Sequence, residues 1–325
     1  MALTYSLLYI ILAAVVIFLS IKLADYVDLI DKKTNISGAF IGGVILAAIT
    51  SLPELFTSIS AIVVVNQPDM IIGNILGSNI FNMTILGFLM IFMCKKFSKS
   101  VVGISHLKTS ILTLVLFAMM FFAIFLEFDF NIWSISIYSI IIAVLYGFSI
   151  KFLASDDASE EREDTSKLTL KTIIILFIVM AILLVAASIG ITYVTDKLAA
   201  ELNLGVTLAG ALFLGIATSL PELTSCFALA KKGNFSACVG NILGSGIFNF
   251  FILTIGDIIY NKGSIYNSNT QSKSLVVFGT ISTFLVTITL FIKTNQQKDL
   301  RTTKIIYRIL GIGIIACYVL FIALS

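Results

Sequence analysis

Apolar runs of about twenty residues, parted by short polar breaks, recur along the whole chain. Ten can be drawn, at roughly 5–24, 38–64, 71–93, 109–126, 132–153, 170–194, 205–230, 236–259, 274–293 and 305–324. Each is long enough to cross a hydrocarbon core about 30 Å thick as a helix. The ten-residue alternation of a membrane β-barrel is absent. The pattern predicts an all-α polytopic membrane protein with ten transmembrane helices. The longest break, 154–169, reads SDDASEEREDTSKLTL and sits at the midpoint, a charged, solvated linker. It divides the chain into a first five-helix repeat (1–153) and a second (170–325). The connection at 260–273, rich in Asn, Ser and Gly, reads as a plain loop.

Composition agrees with the pattern and narrows it little. A hydrophobic share of 58% with 12% charged residues excludes an ordinary soluble domain, as does a mean hydropathy of +1.07. A net charge of +3 makes no case for nucleic acid. The first cation, Lys22, follows the first apolar run, the reverse of a signal peptide, so that run is expected to be retained. Placement of charge says more than its amount. With ten spans, 18 of the 21 Lys and Arg fall in loops on one side, leaving Lys197, Lys262 and Lys273 on the other. The positive-inside rule then puts both termini outside and the 154–169 linker in the cytoplasm, in a cell (plasma) membrane.

Two residue types remove chemistry from consideration. Cys94, Cys226, Cys238 and Cys317 are scattered in or beside apolar segments without CxxC spacing, and are expected as apolar filler. His106, the single histidine, falls in a basic connection, so a zinc site or a histidine mechanism is hard to build. No P-loop and no HExxH is present, which leaves a membrane enzyme without a nucleotide site or a metal site.

One polar cassette occurs twice. TSLPEL at 50–55 returns letter for letter at 218–223, and GNILGSNIFN at 73–82 returns as GNILGSGIFN at 240–249. Five spans per half is an odd number, so the second half enters the membrane inverted relative to the first. Inverted repeats, each with a proline-interrupted span, are the build of secondary transporters that bind substrate at the midplane.

Helical spacing stacks Thr50, Glu54 and Thr57 or Ser58 on one face, and Thr218, Glu222 and Ser225 likewise. Pro53 and Pro221 donate no N–H and crowd the carbonyl four residues back, which frees carbonyls near Ala47 and Ile49 at membrane depth. Asn74, Ser78 and Asn82 form a matching stripe in the next span, repeated by Asn241, Ser245 and Asn249. Gly73 and Gly77, and Gly240 and Gly244, make GxxxG pairs that admit a neighbouring helix. Of the 18 acidic residues only Glu54 and Glu222 fall near the middle of a span. A central carboxylate costs roughly 3 kcal/mol in the bilayer and ordinarily faces a partner or a pathway. No Lys, Arg or His lies at that depth, so the partner is expected from solution as a cation. Carboxylate, hydroxyl, amide and carbonyl are hard oxygen donors, suited to Ca²⁺, Na⁺, Mg²⁺ or Mn²⁺ rather than copper or zinc. Ca²⁺ fits the flexible, oxygen-rich surroundings better than Mg²⁺, which keeps its waters.

TSLPE followed by GN-x-x-GS-x-x-x-N, twice, resembles the sodium/calcium exchanger family of the calcium:cation antiporter superfamily, in its prokaryotic form with two α-repeats. The resemblance covers the whole chain. It implies antiport of Ca²⁺ against Na⁺ by alternating access at one shared cluster of sites, with no prosthetic group; a monomer is the expected state. It further implies that Glu54 and Glu222 hold Ca²⁺ and the central Na⁺, assisted by Thr50 and Thr218. Ser51, Ser78, Ser219 and Ser245 would line flanking Na⁺ sites. The carbonyls of Ala47 and Gly215 would contribute, and Asn82 with Asn249 would form the central amide pair. Three features depart from the family pattern. Ile49 and Ala217 stand where relatives usually have glycine. Asn249 stands where many have aspartate, which limits the site charge to −2 and bears on proton coupling and stoichiometry. The short linker leaves no room for a large regulatory domain. These departures keep open a related antiporter that uses H⁺ or carries Mg²⁺ or Mn²⁺. A channel lined by glutamates is the remaining alternative.

Overall fold

The computed structural model describes residues 2–64, 69–126, 130–132, 134–155, 166–201, 215–260, 263–266, 270–295 and 301–324. Helix α1 (Ala2–Lys33) closes with Lys32 and Lys33 in its last turn, where cations suit the carbonyl end of the helix dipole. Ser37 then caps the next helix, its hydroxyl accepting from Phe40 N–H at 3.2 Å. That helix runs through α2 (Gly38–Phe40), a π-helical stretch (Ile41–Leu46) and α3 (Ala47–Thr50), breaks at Ser51, and resumes as α4 (Leu52–Val63). Helices α5 (Asp69–Phe92), α6 (Cys94–Lys99) and α7 (Ile104–Phe125) follow. A two-stranded antiparallel hairpin, β1 (Asn131–Ile132) and β2 (Ile135–Ser136), leads into α8 (Ile137–Ala154).

The second half opens with α9 (Leu170–Glu201). Residues 215–218 are helical and the chain breaks at Ser219 before α10 (Leu220–Lys231). Gly233, at φ +86°, makes the turn into α11 (Phe235–Ile259), a backbone conformation open to glycine at no steric cost. Helices α12 (Thr270–Asn295) and α13 (Arg301–Leu324) complete the chain. Among the described residues nine helical segments are long and apolar enough to span a membrane. The other expected span, 205–230, is described from residue 215 onward, and its earlier part lies outside the described residues. Most of the linker, 156–165, lies outside them as well.

Burial separates central from peripheral helices. The most apolar windows of α5 and α11 are 78% and 72% buried, against 28% for α1 and 22% for α13. Large side chains such as Ile10, Phe18, Ile309 and Ile312 stand exposed on the peripheral helices, where lipid is the solvent. The central helices carry the repeated polar stripes, so the site is enclosed by the fold.

The halves meet at a backbone-to-backbone crossing. A Cβ added to Gly42 would fall 2.2 Å from the Ala237 carbonyl oxygen, and one added to Gly244 would fall 1.9 Å from the Gly43 carbonyl oxygen. The second-half GxxxG therefore seats the π-helical stretch of the first half. Gly73 and Gly77 have no described residue within 4 Å of such a Cβ. A polar clasp ties α1 to the α10–α11 turn: Asn234 Nδ2 donates to Asp28 and Asp31 at 3.2 and 3.0 Å, and Lys232 pairs with Asp25 at 2.9 Å.

Two expectations need correction. His106 is not in a loop. It lies in the first turn of α7, fully buried, with Nε2 3.2 Å from the Ser236 hydroxyl, because α7 begins earlier than its apolar run suggests. Cys226 and Cys238 are not filler but a disulfide pair joining α10 to α11, their Cα atoms 4.6 Å apart. Cys94 and Cys317 are buried and free.

Candidate cation site

Each TSLPEL copy makes the same local break. Ser51 sits at φ −92°, ψ 5° and Ser219 at φ −91°, ψ 9°, and both stand immediately before a helix with proline in its first turn. Proline is tolerated there because a first-turn N–H has no helical acceptor. The break turns the next residues inward. Glu54 and Glu222 are each 1% exposed, while Thr50, Thr218, Ser51 and Ser219 are fully buried.

The Ala47 carbonyl, expected to be freed, is instead well supplied. It accepts the Ser51 N–H at 3.1 Å and lies 3.3 Å from the hydroxyls of both Thr50 and Ser245. Pro53 stands two residues past the break, so the carbonyl that loses its helical donor is that of Ile49. Gly215 repeats the arrangement, accepting Ser219 N–H at 3.1 Å and the Thr218 hydroxyl at 3.2 Å.

The carboxylates are held across the repeats. Glu54 Oε1 accepts from Ser78 of its own half at 2.8 Å and from Ser219 of the other half at 3.3 Å. Glu222 Oε1 accepts from Ser51 of the first half at 3.2 Å and from Ser245 of its own at 3.4 Å. The Ser78 and Ser219 hydroxyls are themselves 2.9 Å apart. Neutral hydroxyls thus fix one oxygen of each carboxylate and leave the second. Glu54 Oε2 and Glu222 Oε2 are buried with no hydrogen-bond partner among the described residues, and no ion pair there reaches either glutamate.

The outer ends of the stripes brace the helices. Asn74 Nδ2 donates to Ser58 Oγ at 3.1 Å, and Asn241 Nδ2 to Ser225 Oγ at 3.0 Å. Thr57 turns its hydroxyl to the Pro53 carbonyl of its own helix, so Ser58 is the residue that faces the stripe. Thr50 Oγ1 lies 3.3 Å from Asn241 Oδ1 and from Ser245 Oγ.

The inner ends differ from expectation. Asn249 Nδ2 donates to Asn79 Oδ1 at 3.0 Å, while both side-chain atoms of Asn82 are buried without a described partner. Asn79 was hidden in the sequence because it lies one residue off the Asn74–Ser78–Asn82 stripe. The signal that marks it is the one mismatch between the ten-residue repeats, Asn79 against Gly246.

Glu54 Oε2, Glu222 Oε2, Asn82 Oδ1 and Asn249 Oδ1 are four buried oxygens without donors among the described residues. Buried acceptors are ordinarily satisfied, and a set left open is an invitation to water or an ion. Carboxylate, carboxamide and hydroxyl oxygens together are a donor set for a hard cation. No nucleophile paired with a base appears among these residues.

The model of the sodium/calcium exchanger protein family matches residues 4–154 and 172–325, one block in each half. An uncharacterised membrane protein of Methanocaldococcus jannaschii, MJ0091, is 28% identical over 222 residues, covering 67% of this chain and 69% of its own. The inner membrane protein YrbG of Escherichia coli is 26% identical over 256 residues, covering 73% and 74%. Among solved structures, the sodium-calcium exchanger NCX_Mj soaked with Na⁺ and Sr²⁺ superposes with a TM-score of 0.75 at 22% identity, covering 99% of both chains. Its form soaked with Na⁺ and no Ca²⁺ gives 0.71 at 23%, covering 99% and 98%. The ten-helix architecture in two inverted repeats fits that fold, and with both halves matched the chain belongs to the sodium/calcium exchanger protein family.

Proposed function

We propose that this protein exchanges Ca²⁺ for Na⁺ across a cell membrane by alternating access, as a secondary antiporter. The observation that carries the reading is the pair of buried glutamates whose Oε2 atoms have no described partner, each braced by a serine from either half. One divalent ion neutralises both carboxylates, and so do two monovalent ions. The same oxygens can therefore serve either cargo in turn, which is what obligatory exchange requires. Thr50, Thr218, Ser51, Ser219, Ser78, Ser245, Asn82 and Asn249 complete the ligand set, joined by the carbonyls of Ala47 and Gly215 when the hydroxyls of Thr50, Ser245 and Thr218 that reach them turn to the ion. Membership of a transporter family and a fold shared with NCX_Mj, an exchanger whose structures were obtained in Na⁺, Ca²⁺ and Sr²⁺, support this reading. The charge pattern of the loops supports termini outside and the linker in the cytoplasm, with 1–153 and 170–325 as the two five-helix repeats.

The test is uptake of Ca²⁺ into proteoliposomes of the purified protein, driven by an outward Na⁺ gradient. The reading expects saturable uptake that collapses when Na⁺ is replaced by choline on both sides. Uptake that follows an imposed pH gradient and ignores Na⁺ would refute it in favour of H⁺ coupling, the alternative raised by Ile49, Ala217 and Asn249 together.

A further inference from the structure

A carboxamide offers two chemically opposite ends. Its oxygen can ligand a cation, whereas its NH₂ turns positively polarised hydrogens toward one and repels it. An asparagine on an ion-binding stripe therefore works only if something fixes which end faces inward. Asn249 lies one helical turn beyond Ser245, which is bonded to Glu222 Oε1, so it continues the stripe that carries the site. Its Nδ2 is engaged by Asn79 Oδ1 at 3.0 Å, and its Oδ1 is left buried without a described partner.

Asn79 is fully buried, and its own Nδ2 has no described partner either. It contributes an acceptor to Asn249 while leaving its own donor unmet, an arrangement that packing alone does not call for. The twofold-related position explains how it reaches across. Gly246 stands where the first repeat has Asn79, and a Cβ there would meet Asn79 Oδ1 at 3.8 Å and Met83 Cε at 3.9 Å. That is ordinary contact, so alanine fits at 246. A second carboxamide there would enter the space beside Asn79 and compete with Asn249 for it. The loss of side chain in one repeat makes room for the asymmetric bond made by the other.

We propose that Asn79 is a positioning residue for cation binding: by accepting the Asn249 NH₂ it turns the Asn249 oxygen into the site as a neutral ligand. This deepens the function proposed above and rests on it. The bond sets the affinity for cations through a residue that carries no charge, and Asn79 itself does not touch the ion.

A mutant cycle read by binding rather than transport tests it. The purified full-length protein is titrated with Ca²⁺, and separately with Na⁺, following the cation-dependent rise in melting temperature in detergent. The variants are Asn79→Leu, Asn249→Asp and the double substitution, with Gly246→Ala and Gly246→Asn beside them. Asn79→Leu removes the acceptor while keeping the branching at Cγ and should raise the half-saturating cation concentration about fivefold, the worth of one buried neutral hydrogen bond. In the Asn249→Asp background the same change should move it less than about twofold, because a carboxylate presents oxygen whichever way it turns. Gly246→Asn should mimic Asn79→Leu, and Gly246→Ala should not. An equal shift in both backgrounds would reduce Asn79 to a packing role, and no shift in either would remove it from the site; both outcomes overturn the inference. Glu222→Gln in the same titration separates the two readings. A Ca²⁺ response that survives it refutes the carboxylate site itself. A response lost in Glu222→Gln but indifferent to Asn79→Leu refutes only the positioning role.

Discussion

Gly244→Ala puts the smallest possible side chain at the point where the two halves touch. The new Cβ would sit 1.9 Å from the Gly43 oxygen, 2.6 Å from its carbonyl carbon and 2.7 Å from its Cα. All three are backbone atoms, so no rotamer relieves the overlap. Restoring ordinary contact requires the π-helical stretch and α11 to part by roughly 1.5 Å, and overpacking of this kind costs about 1–3 kcal/mol. The separation reaches the site through the next residue. Ser245 lies 3.3 Å from the Ala47 oxygen, 3.3 Å from Thr50 Oγ1 and 3.4 Å from Glu222 Oε1, all near the limit of hydrogen bonding. A parting of that size takes the first two out of range. At about 1 kcal/mol for each, the half-saturating Ca²⁺ concentration should rise tenfold or more. Melting temperature in detergent and Na⁺-driven Ca²⁺ uptake in proteoliposomes read the two effects separately, with Gly246→Ala on the same helix as the tolerated control. Wild-type melting and wild-type Ca²⁺ dependence in Gly244→Ala would show that the crossing does not hold the site.

Two further tests address the carboxylates and their braces. Glu54→Gln and Glu222→Gln should each abolish Ca²⁺ uptake while the protein still purifies as a folded species, since each removes one of two central charges; near-normal flux in either rules out its role as a ligand. Ser51→Ala and Ser219→Ala each delete one hydroxyl that reaches the other half, and each should raise half-saturating Ca²⁺ by about three- to tenfold, with single-site titrations showing similar costs because the bonds are 3.2 and 3.3 Å long and related by the repeat.

The repeats and the polar stripes that line the candidate site were legible in the sequence, because they follow from repetition and helical periodicity, whereas Ser51, Ser219 and Gly215 came from the family resemblance alone. Ser58 opposite Asn74 and Ser225 opposite Asn241 are what helical stripes in adjacent spans require. Which half supplies which brace was not legible. That Ser51 turns to Glu222 and Ser219 to Glu54 depends on how the halves are placed in space, and no local spacing encodes it. Asn79 was missed for a related reason: a residue one step off a stripe lies about 100° around the helix, and its partner is fixed by tertiary packing. His106 was misplaced because hydropathy locates apolar runs, not the helical turns that extend beyond them, and the Cys226–Cys238 pairing was missed because it depends on how two adjacent helices pack.

The paired serine–glutamate bonds have a genetic consequence. A contact that runs from each half to the other, in the same form both ways, is what a twofold interface makes from a single set of letters. In a dimer of identical half-length chains one mutation would alter both bonds at once. In the fused chain each bond is encoded separately, so the two can drift apart one substitution at a time. Gly246 opposite Asn79 is a divergence of this kind, closed to a dimer of identical half-length chains.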